Sequence, residues 1–159
     1  MISNLRRIPS ISLLLVLLTF CQQKKDPEKF GFNKPQKAEV TKFSRMITVA
    51  NKGVGPIETI SLSPKIDTMR VKRGVKVYHE KCTACHQVGR TFIGPPPNGI
   101  LQRRSPEWIM NLLLNTEEML QKDSTAKGLF MEFDGQLMTN QNLSESEARD
   151  ILEYFRTLD

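Results

Sequence analysis

Cysteine and histidine are scarce in this chain of 159 residues, which has three cysteines and two histidines. A structural zinc site needs four ligands, and these are mostly cysteine and histidine. Outside the stretch Cys82-Thr83-Ala84-Cys85-His86, the only further candidates are Cys21 and His79. Because Cys21 lies far away in the chain, the sequence supplies a zinc site poorly.

The chain also lacks an apolar run long enough for a comfortable transmembrane helix, which needs about 20 residues. The apolar run over residues 11–20 follows Arg6 and Arg7, an arrangement typical of a secretory signal peptide. Cys21 comes next and resembles the cysteine of a bacterial lipoprotein cleavage site, which becomes the lipidated first residue. Phe20 departs from that pattern, because a small residue usually precedes the cysteine. We therefore expect export and a membrane tether, either through lipid on Cys21 or through an uncleaved anchor.

Apolar periodicity is absent from residues 22–43, which are rich in Lys and Pro and indicate a solvated linker. Residues 46–66 alternate short apolar pieces with Gly and Pro, a pattern that favours extended chain and turns. A brief strand pair is predicted at 48–50 and 58–62. No chemical role follows from this part of the sequence.

The stretch from Cys82 to His86 matches Cys-x-x-Cys-His, the attachment pattern of c-type haem. Cys82 and Cys85 would form thioether bonds to the two vinyl groups, and His86 would ligate the iron from one face. A redox dithiol is an alternative, but it would need a strand-helix-strand setting, whereas the residues before Cys82 indicate a helix. The sequence therefore predicts one covalently bound haem c. With two cysteines on haem and Cys21 on lipid, no odd thiol remains in an exported protein.

Charge is unevenly divided along the chain. Residues 22–81 carry 14 Lys and Arg against 6 Asp and Glu, whereas residues 82–159 carry 7 against 11. The predicted helix before the haem motif carries five of the basic residues: Arg70, Lys72, Arg73, Lys76 and Lys81. These would steer an acidic redox partner or rest on anionic lipid, and the alternative is an ordinary solvated face. Nucleic acid is not an expected partner of an exported haem protein.

The residues that lead to the haem motif form a helical pattern. Asp67 is a predicted N-cap for a helix that carries Gly74 and Tyr78 on one face. Gly74 lies eight residues before Cys82, and Tyr78 lies four before it. This arrangement resembles class I cytochrome c. In that family the glycine permits the first and last helices to cross closely, and an aromatic side chain packs beside it.

The end of the chain continues the resemblance. Residues 145–158 form a predicted helix that opens with a capping box of Ser144 and Glu147. This helix should cross the first one near the glycine, and Tyr154 matches the family aromatic that meets it. The resemblance covers residues 68–158. It implies an all-α cytochrome c fold with about three to four helices around one haem, preceded by an irregular N-terminal extension.

The resemblance also implies the second iron ligand. The family puts a methionine in a loop just before the last helix, and Met138 lies there. Thr139 stands where a proline commonly follows that methionine. Met131 is the alternative methionine, but it lies further from the last helix and among aromatics. His79 lies on the attaching helix, from which the opposite haem face is awkward to reach, so a bis-histidine site is not expected.

Two further haem contacts are implied by the resemblance. A histidine ligand needs an acceptor for its second ring N–H, and in the family a proline carbonyl serves, which Pro95 in Ile93-Gly94-Pro95 matches. The family also places an aromatic side chain near the haem propionates. Trp108 would donate its N–H there, with Arg103 or Arg104 offering charge. Against these contacts, we favour plain core packing of Trp108 and solvent exposure of the arginines.

The chain as a whole is expected to have three parts. These are a signal peptide over residues 1–21 that ends at the lipoprotein-type cysteine, a linker and irregular extension over 22–66, and a cytochrome c domain over 67–159. We expect a monohaem electron carrier rather than an enzyme, without a small-molecule substrate. It would be anchored to a membrane and face the periplasm or the cell exterior.

The carrier is expected to pass one electron to or from a respiratory partner. Residues from 103 onward also resemble small cytochromes that accompany nitrous-oxide respiration, so a terminal reductase such as nitrous-oxide reductase is one expected partner. The alternative function is a c-type haem sensor or gas-binding protein with an open or displaceable sixth iron position. Rapid carbon monoxide binding by the reduced protein would favour that alternative, because a held Met138 should prevent it.

Overall fold

The computed structural model describes residues 42–158. The expected signal peptide over residues 1–21, with Cys21 at its end, lies outside the described residues. The described part contains six helices: α1 (Thr68–Lys81), α2 (Ile100–Arg103), α3 (Pro106–Leu114), α4 (Thr116–Lys122), α5 (Ser124–Glu132) and α6 (Glu145–Phe155). Pairing between strands in this part is limited to two isolated β-bridges. The expected all-α fold is therefore confirmed.

The helices outnumber the expected three to four because polar residues interrupt the middle of the domain. Asn115 ends α3 and begins α4, and Asp123 ends α4 and begins α5. The Asp123 carboxylate accepts a hydrogen bond from the backbone N–H of Ala126 at 2.7 Å, a typical N-cap contact. Of the helices within residues 42–158, none combines the length and the apolar character needed to cross a membrane.

Helices α1 and α6 cross at Gly74. A Cβ atom on Gly74 would lie 2.1 Å from the carbonyl oxygen of Asp150, so only glycine permits this approach. The Tyr78 ring lies edge-on to the rings of Tyr154 and Phe155, with centroids 5.4 and 5.8 Å apart. The predicted crossing is confirmed, and the aromatic ring of Tyr154 contacts Tyr78, while the backbone at Asp150 lies against the glycine.

Charged side chains secure the same crossing. The buried carboxylate of Asp150 on α6 accepts hydrogen bonds from Arg70 at 2.9 Å and from Arg73 at 2.6 Å. Lys76 lies 4.0 Å from Glu80 on the exposed side of α1. Much of the basic charge of α1 is therefore matched within the protein, which favours a solvated face over a surface that steers a partner.

Residues 42–66, called the extension below, pack against the helices through side chains of α3. The Asn111 side-chain oxygen accepts the backbone N–H of Ile57 at 2.9 Å, and its amide nitrogen donates to the carbonyl oxygens of Lys52 and Ile57, each at 2.9 Å. Ile57 is itself buried in the core. The extension thus obtains backbone hydrogen-bond partners from helix side chains instead of from a neighbouring strand.

The strand pair predicted at 48–50 and 58–62 is wrong, because neither segment forms a strand in the described chain. Thr48 instead donates its backbone N–H to the carbonyl oxygen of Arg103 at 2.8 Å. Gly53 has a φ of +73°, and a Cβ atom there would lie 2.7 Å from the sulfur of Met119. A left-handed residue in close contact with a helix suits a turn and interrupts a ladder.

Candidate haem site

A cavity with apolar walls lies beside the Cys82–His86 stretch. The cavity has two lobes. Their volumes are about 730 Å³ and about 870 Å³ when the space open to solvent is included. The first lobe reaches Arg104 and Trp108, and the second reaches Cys85 and Leu137. Six residues line both lobes: Cys82, His86, Pro95, Leu112, Leu129 and Met138. The cavity gathers the residues predicted from the haem motif and its resemblance.

The His86 ring is held by its own loop. Its Nδ1 lies 2.8 Å from the carbonyl oxygen of Pro95. Because a carbonyl oxygen only accepts, Nδ1 carries the proton, and in the neutral ring Nε2 then has the lone pair. Gly94 lies directly against the ring, since a Cβ atom there would be 2.4 Å from Cε1 of His86. The ring is therefore oriented to bind a metal through Nε2, with Pro95 at the place that the resemblance implies.

The two cysteines of the motif differ in exposure and form no disulfide with each other. Cys82 is partly buried and Cys85 is exposed. Burial raises the pKa of the Cys82 thiol to about 11. A redox dithiol depends on a lowered thiol pKa, so this environment argues against the dithiol alternative. Both cysteines line the second lobe, where covalent attachment to a cofactor in the cavity requires them.

Met138 is the only methionine within residues 42–158 that lines the cavity. It is partly buried and packs against the core. The alternative, Met131, has 72% of its surface exposed, whereas Met110 and Met119 are buried in the core. His79 is exposed on α1. The cavity thus brings Met138 together with His86 and leaves the other candidates outside.

The indole N–H of Trp108 has a different acceptor from the one that the resemblance implies. Trp108 is buried and lines the first lobe, but its Nε1 donates to the Asp123 carboxylate at 3.1 Å. The second carboxylate oxygen of Asp123 accepts from the Asn51 side chain at 2.6 Å. Donation of this N–H to a haem propionate is therefore not what the structure shows. The core-packing alternative describes Trp108 better.

Arg104 is buried, so the expected solvent exposure of this arginine is wrong. Only 3% of its surface is exposed, and its guanidinium lies over the Trp108 ring at 5.2 Å from the centroid. It donates hydrogen bonds to the carbonyl oxygens of Phe43 and Met46 in the extension. Burial lowers the pKa of this guanidinium. Between residues 42 and 158, no carboxylate lies within ion-pair distance of it.

These features fit a haem group. A buried cation without a carboxylate partner is costly, and it lines the first lobe, where an anionic group of a ligand would compensate it. Haem carries two propionates that supply such charge. The opposite lobe contains the two thiols, and the histidine and methionine line both lobes. The residues that line the cavity therefore fit a covalently attached haem.

The cytochrome c family model matches residues 71–159. The chain belongs to the cytochrome c family. It is a haem electron-transfer protein that binds haem c covalently, as the sequence predicted. No individually curated protein sequence matches it significantly.

Solved structures agree with this assignment. Cytochrome c from Rhodothermus marinus is 40% identical, with a TM-score of 0.63, and the match covers 65% of this chain and 89% of that one. An engineered Rhodothermus marinus cytochrome c is 39% identical with the same TM-score, over 65% of this chain and 90% of that one. A form of the engineered protein bound to a carbene intermediate is 38% identical, with a TM-score of 0.60, over 65% and 89%.

Sequence reasoning missed several residues that shape this cytochrome c site. Gly94 was noted only as part of the proline loop, although its lack of a side chain makes room for the His86 ring. Asp123 had no signal beyond a helix-capping composition, yet it orients Trp108. Arg104 looked like one half of an exposed basic pair. No local pattern distinguishes it from Arg103, because its burial depends on the extension.

Proposed function

We propose that this cytochrome c is a membrane-tethered electron carrier in which His86 and Met138 ligate the iron of a haem attached through Cys82 and Cys85. The observation that carries the proposal is that the His86 ring, with Nδ1 on the Pro95 carbonyl, lines the same cavity as Met138. Bound haem iron supplies a couple between ferric and ferrous states that differ by one electron. The residues of the chain then determine whether small molecules can reach the iron and how high its reduction potential is.

His86 and Met138 have complementary tasks in this proposal. His86 offers the Nε2 lone pair, and the Pro95 carbonyl keeps the ring in the required tautomer and orientation. Met138 offers a weaker sulfur donor, which closes the sixth position to small molecules and favours a high reduction potential. With both positions filled by side chains, we infer electron transfer without transformation of a substrate.

The cavity walls act on the same couple. The walls of the two lobes are mostly apolar and lower the dielectric around a bound haem, and a low dielectric disfavours the more positive ferric state. Arg104 adds a buried positive charge beside the first lobe, which acts in the same direction. Both effects raise the reduction potential. A high potential suits an electron donor to a terminal reductase or oxidase, and nitrous-oxide reductase is one candidate partner.

The first test is the absorption spectrum of the oxidised protein, compared between the wild type and Met138→Ala. Methionine sulfur bound to ferric haem gives a weak far-red band, which we expect in the wild type and not in Met138→Ala. Met131→Ala is the matched control, because Met131 is exposed outside the cavity and its loss should leave the band unchanged. A band that survives in Met138→Ala would contradict the proposed ligand.

A gas-binding haem sensor is the second candidate, favoured by Thr139 at the place where the family commonly has proline. Its mark would be rapid carbon monoxide binding by the reduced wild-type protein without denaturant. In the proposed carrier, that reaction is slow in the wild type and becomes fast in Met138→Ala, since the sulfur has been removed.

The proposed tether rests on the apolar run over residues 11–20 and on Cys21. We expect mass spectrometry of the protein from the membrane fraction to find Cys21 as an acylated first residue. An intact segment over residues 1–20 would contradict lipidation and leave an uncleaved anchor. Recovery of all the protein in the soluble fraction after cell lysis would contradict both forms of the tether.

A further inference from the structure

Residues 137–143, called the Met138 loop below, have few fixed connections to the rest of the domain. Within the described residues, no backbone group of this loop forms a hydrogen bond to the backbone of another segment. The apolar side chains of Met138 and Leu143 pack against the core. The position of the loop must otherwise be set by polar side chains.

Polar side chains of the Met138 loop form hydrogen bonds within the loop itself. The Gln141 side-chain nitrogen donates to the carbonyl oxygen of Thr139 at 3.1 Å and to its hydroxyl at 3.0 Å. The Asn140 side-chain oxygen accepts the backbone N–H of Asn142 at 2.8 Å. Asn142 has a φ of +50°, a left-handed conformation that asparagine tolerates well. These contacts stiffen the turn at the place where the family commonly uses proline.

One side chain ties the braced loop to the helix that carries the haem motif. Lys81 donates from Nζ to the carbonyl oxygen of Gln141 at 3.2 Å. Lys81 is the last residue of α1 and directly precedes Cys82. It lines the second lobe together with Met138, Thr139 and Gln141. The contact therefore joins the helix that leads to the attachment cysteines with the loop that carries the sulfur.

We propose that Lys81 and Gln141 are positioning residues that determine how readily the Met138 sulfur leaves the iron. The inference rests on the proposed ligation by Met138 and deepens it. For the sulfur to move away, the loop must shift from α1, and the charge-assisted bond from Lys81 to the Gln141 carbonyl must break. Loss of the donor raises the population of loops that have moved, by about two- to tenfold for one such hydrogen bond.

The test measures ligand exchange on the full-length, haem-loaded ferric protein. Imidazole is added, and the rate at which it replaces the sulfur is followed by the loss of the far-red band. Lys81→Met keeps the aliphatic stem and removes the donor, so we expect exchange about two- to tenfold faster than in the wild type. Lys72→Met is the matched control, because Lys72 is exposed on the same helix. Its rate should equal that of the wild type.

Two more variants separate positioning from a general loss of stability. Lys81→Arg retains a cationic donor and should return the exchange rate toward that of the wild type. Gln141→Ala removes the brace and keeps the carbonyl, and it should also speed exchange. The thermal midpoint of Lys81→Met should fall below that of Lys72→Met by no more than the loss of one hydrogen bond explains, since a general loss of stability would lower it further.

The outcomes distinguish failure of the proposed ligation by Met138 from failure of the positioning role of Lys81. A wild-type protein without the far-red band overturns the proposed ligation by Met138, and this inference with it. A normal band combined with equal exchange rates in Lys81→Met and Lys72→Met overturns only the positioning role of Lys81. If Lys81→Met does not retain covalent haem, Gln141→Ala decides, and a rate equal to that of the wild type overturns the inference.

Discussion

At the scale of single residues, the orientation of His86 depends on two neighbours that have little chemistry of their own. The Pro95 carbonyl takes the Nδ1 proton, and Gly94 offers a backbone without a side chain against the ring. A larger residue beside the ring would rotate it, and the Nε2 lone pair would then point away from its ligand position. The orientation of the His86 ring thus depends on the absence of a side chain at Gly94 as well as on the carbonyl oxygen of Pro95.

The substitution Gly94→Ala tests this dependence. The added Cβ atom would lie 2.4 Å from Cε1 of His86, so we expect displacement of the ring, less covalent haem per polypeptide and a loss of about 1–3 kcal/mol of unfolding free energy. Haem content follows from the absorbance ratio of the purified protein, and stability follows from denaturant unfolding.

Gly89→Ala is the matched control for that experiment. Gly89 also lies in the loop after the haem motif, with a φ of +79°, but a Cβ atom there meets nothing within 4 Å. Its substitution should cost about 1 kcal/mol through backbone strain alone and leave haem content unchanged. Equal haem content in the two variants would contradict the role assigned to Gly94.

At the scale of elements, charged groups at the start of α1 and along α6 tie the two helices together beyond their crossing. The Glu153 carboxylate on α6 is buried and accepts the backbone N–H of Asp67, the N-cap of α1, at 2.8 Å. It also accepts hydrogen bonds from Arg149 at 2.6 Å and Arg156 at 2.7 Å. One carboxylate therefore connects the two helices that deliver the haem motif and close the fold.

The pKa of Glu153 makes this connection sensitive to pH. Burial by itself would raise the pKa, but the Asp67 N–H and the two arginines outweigh it and hold the pKa below its ordinary value of 4.5. The ionised form therefore stabilises the folded state. Its contribution is complete above the ordinary pKa and is lost as the pH falls through the lowered one.

The substitution Glu153→Gln should lower the unfolding free energy by about 2–3 kcal/mol at neutral pH. The difference from the wild type should narrow as the pH falls below about 4.5, because the unfolded wild-type chain then binds a proton that the folded carboxylate takes up only at its lowered pKa. Denaturant unfolding at a series of pH values measures this. Glu117→Gln, at an exposed position of α4, serves as a control with little effect at any pH. A difference that stays constant with pH would contradict the electrostatic account.

At the scale of the whole molecule, the extension is part of the folded domain from residue 42 onward and not merely a leader to it. Asn111 holds its backbone in the middle, and Arg104 holds its first described residues beside the cavity. Because Arg104 also lines the first lobe, the extension helps to bury the charge that a haem propionate would meet. The extension is therefore irregular, as expected, and still packs closely against the helices.

The substitution Asn111→Ala tests how firmly the extension is attached. It leaves the N–H and C=O of Ile57 and the carbonyl of Lys52 without their present partner, so we expect a loss of about 2–4 kcal/mol in unfolding free energy. We also expect faster proteolytic cleavage within the extension. Gln121→Ala, exposed on α4, is the control and should alter neither quantity. Unchanged cleavage of the extension in Asn111→Ala would contradict this attachment.

The sequence by itself determined the parts that depend on local spacing. The haem motif is five consecutive residues, and the crossing at Gly74 follows from one helical face and one required glycine. The predicted capping box of Ser144 and Glu147 is confirmed with both of its hydrogen bonds, because its partners are only three residues apart. Such features are encoded by neighbours in the chain, so a pattern of residue types is enough to find them.

Only the tertiary structure decided which polar groups are buried and what they contact. The Trp108 N–H could have faced the cavity, and its acceptor is Asp123 because α4 and the start of α5 bring that carboxylate beside it. Arg104 is buried only because the extension covers it with the carbonyls of Phe43 and Met46. These pairings join segments that lie far apart in sequence. The free energy that favours them comes from the packing of the whole domain, which no local pattern of residue types contains.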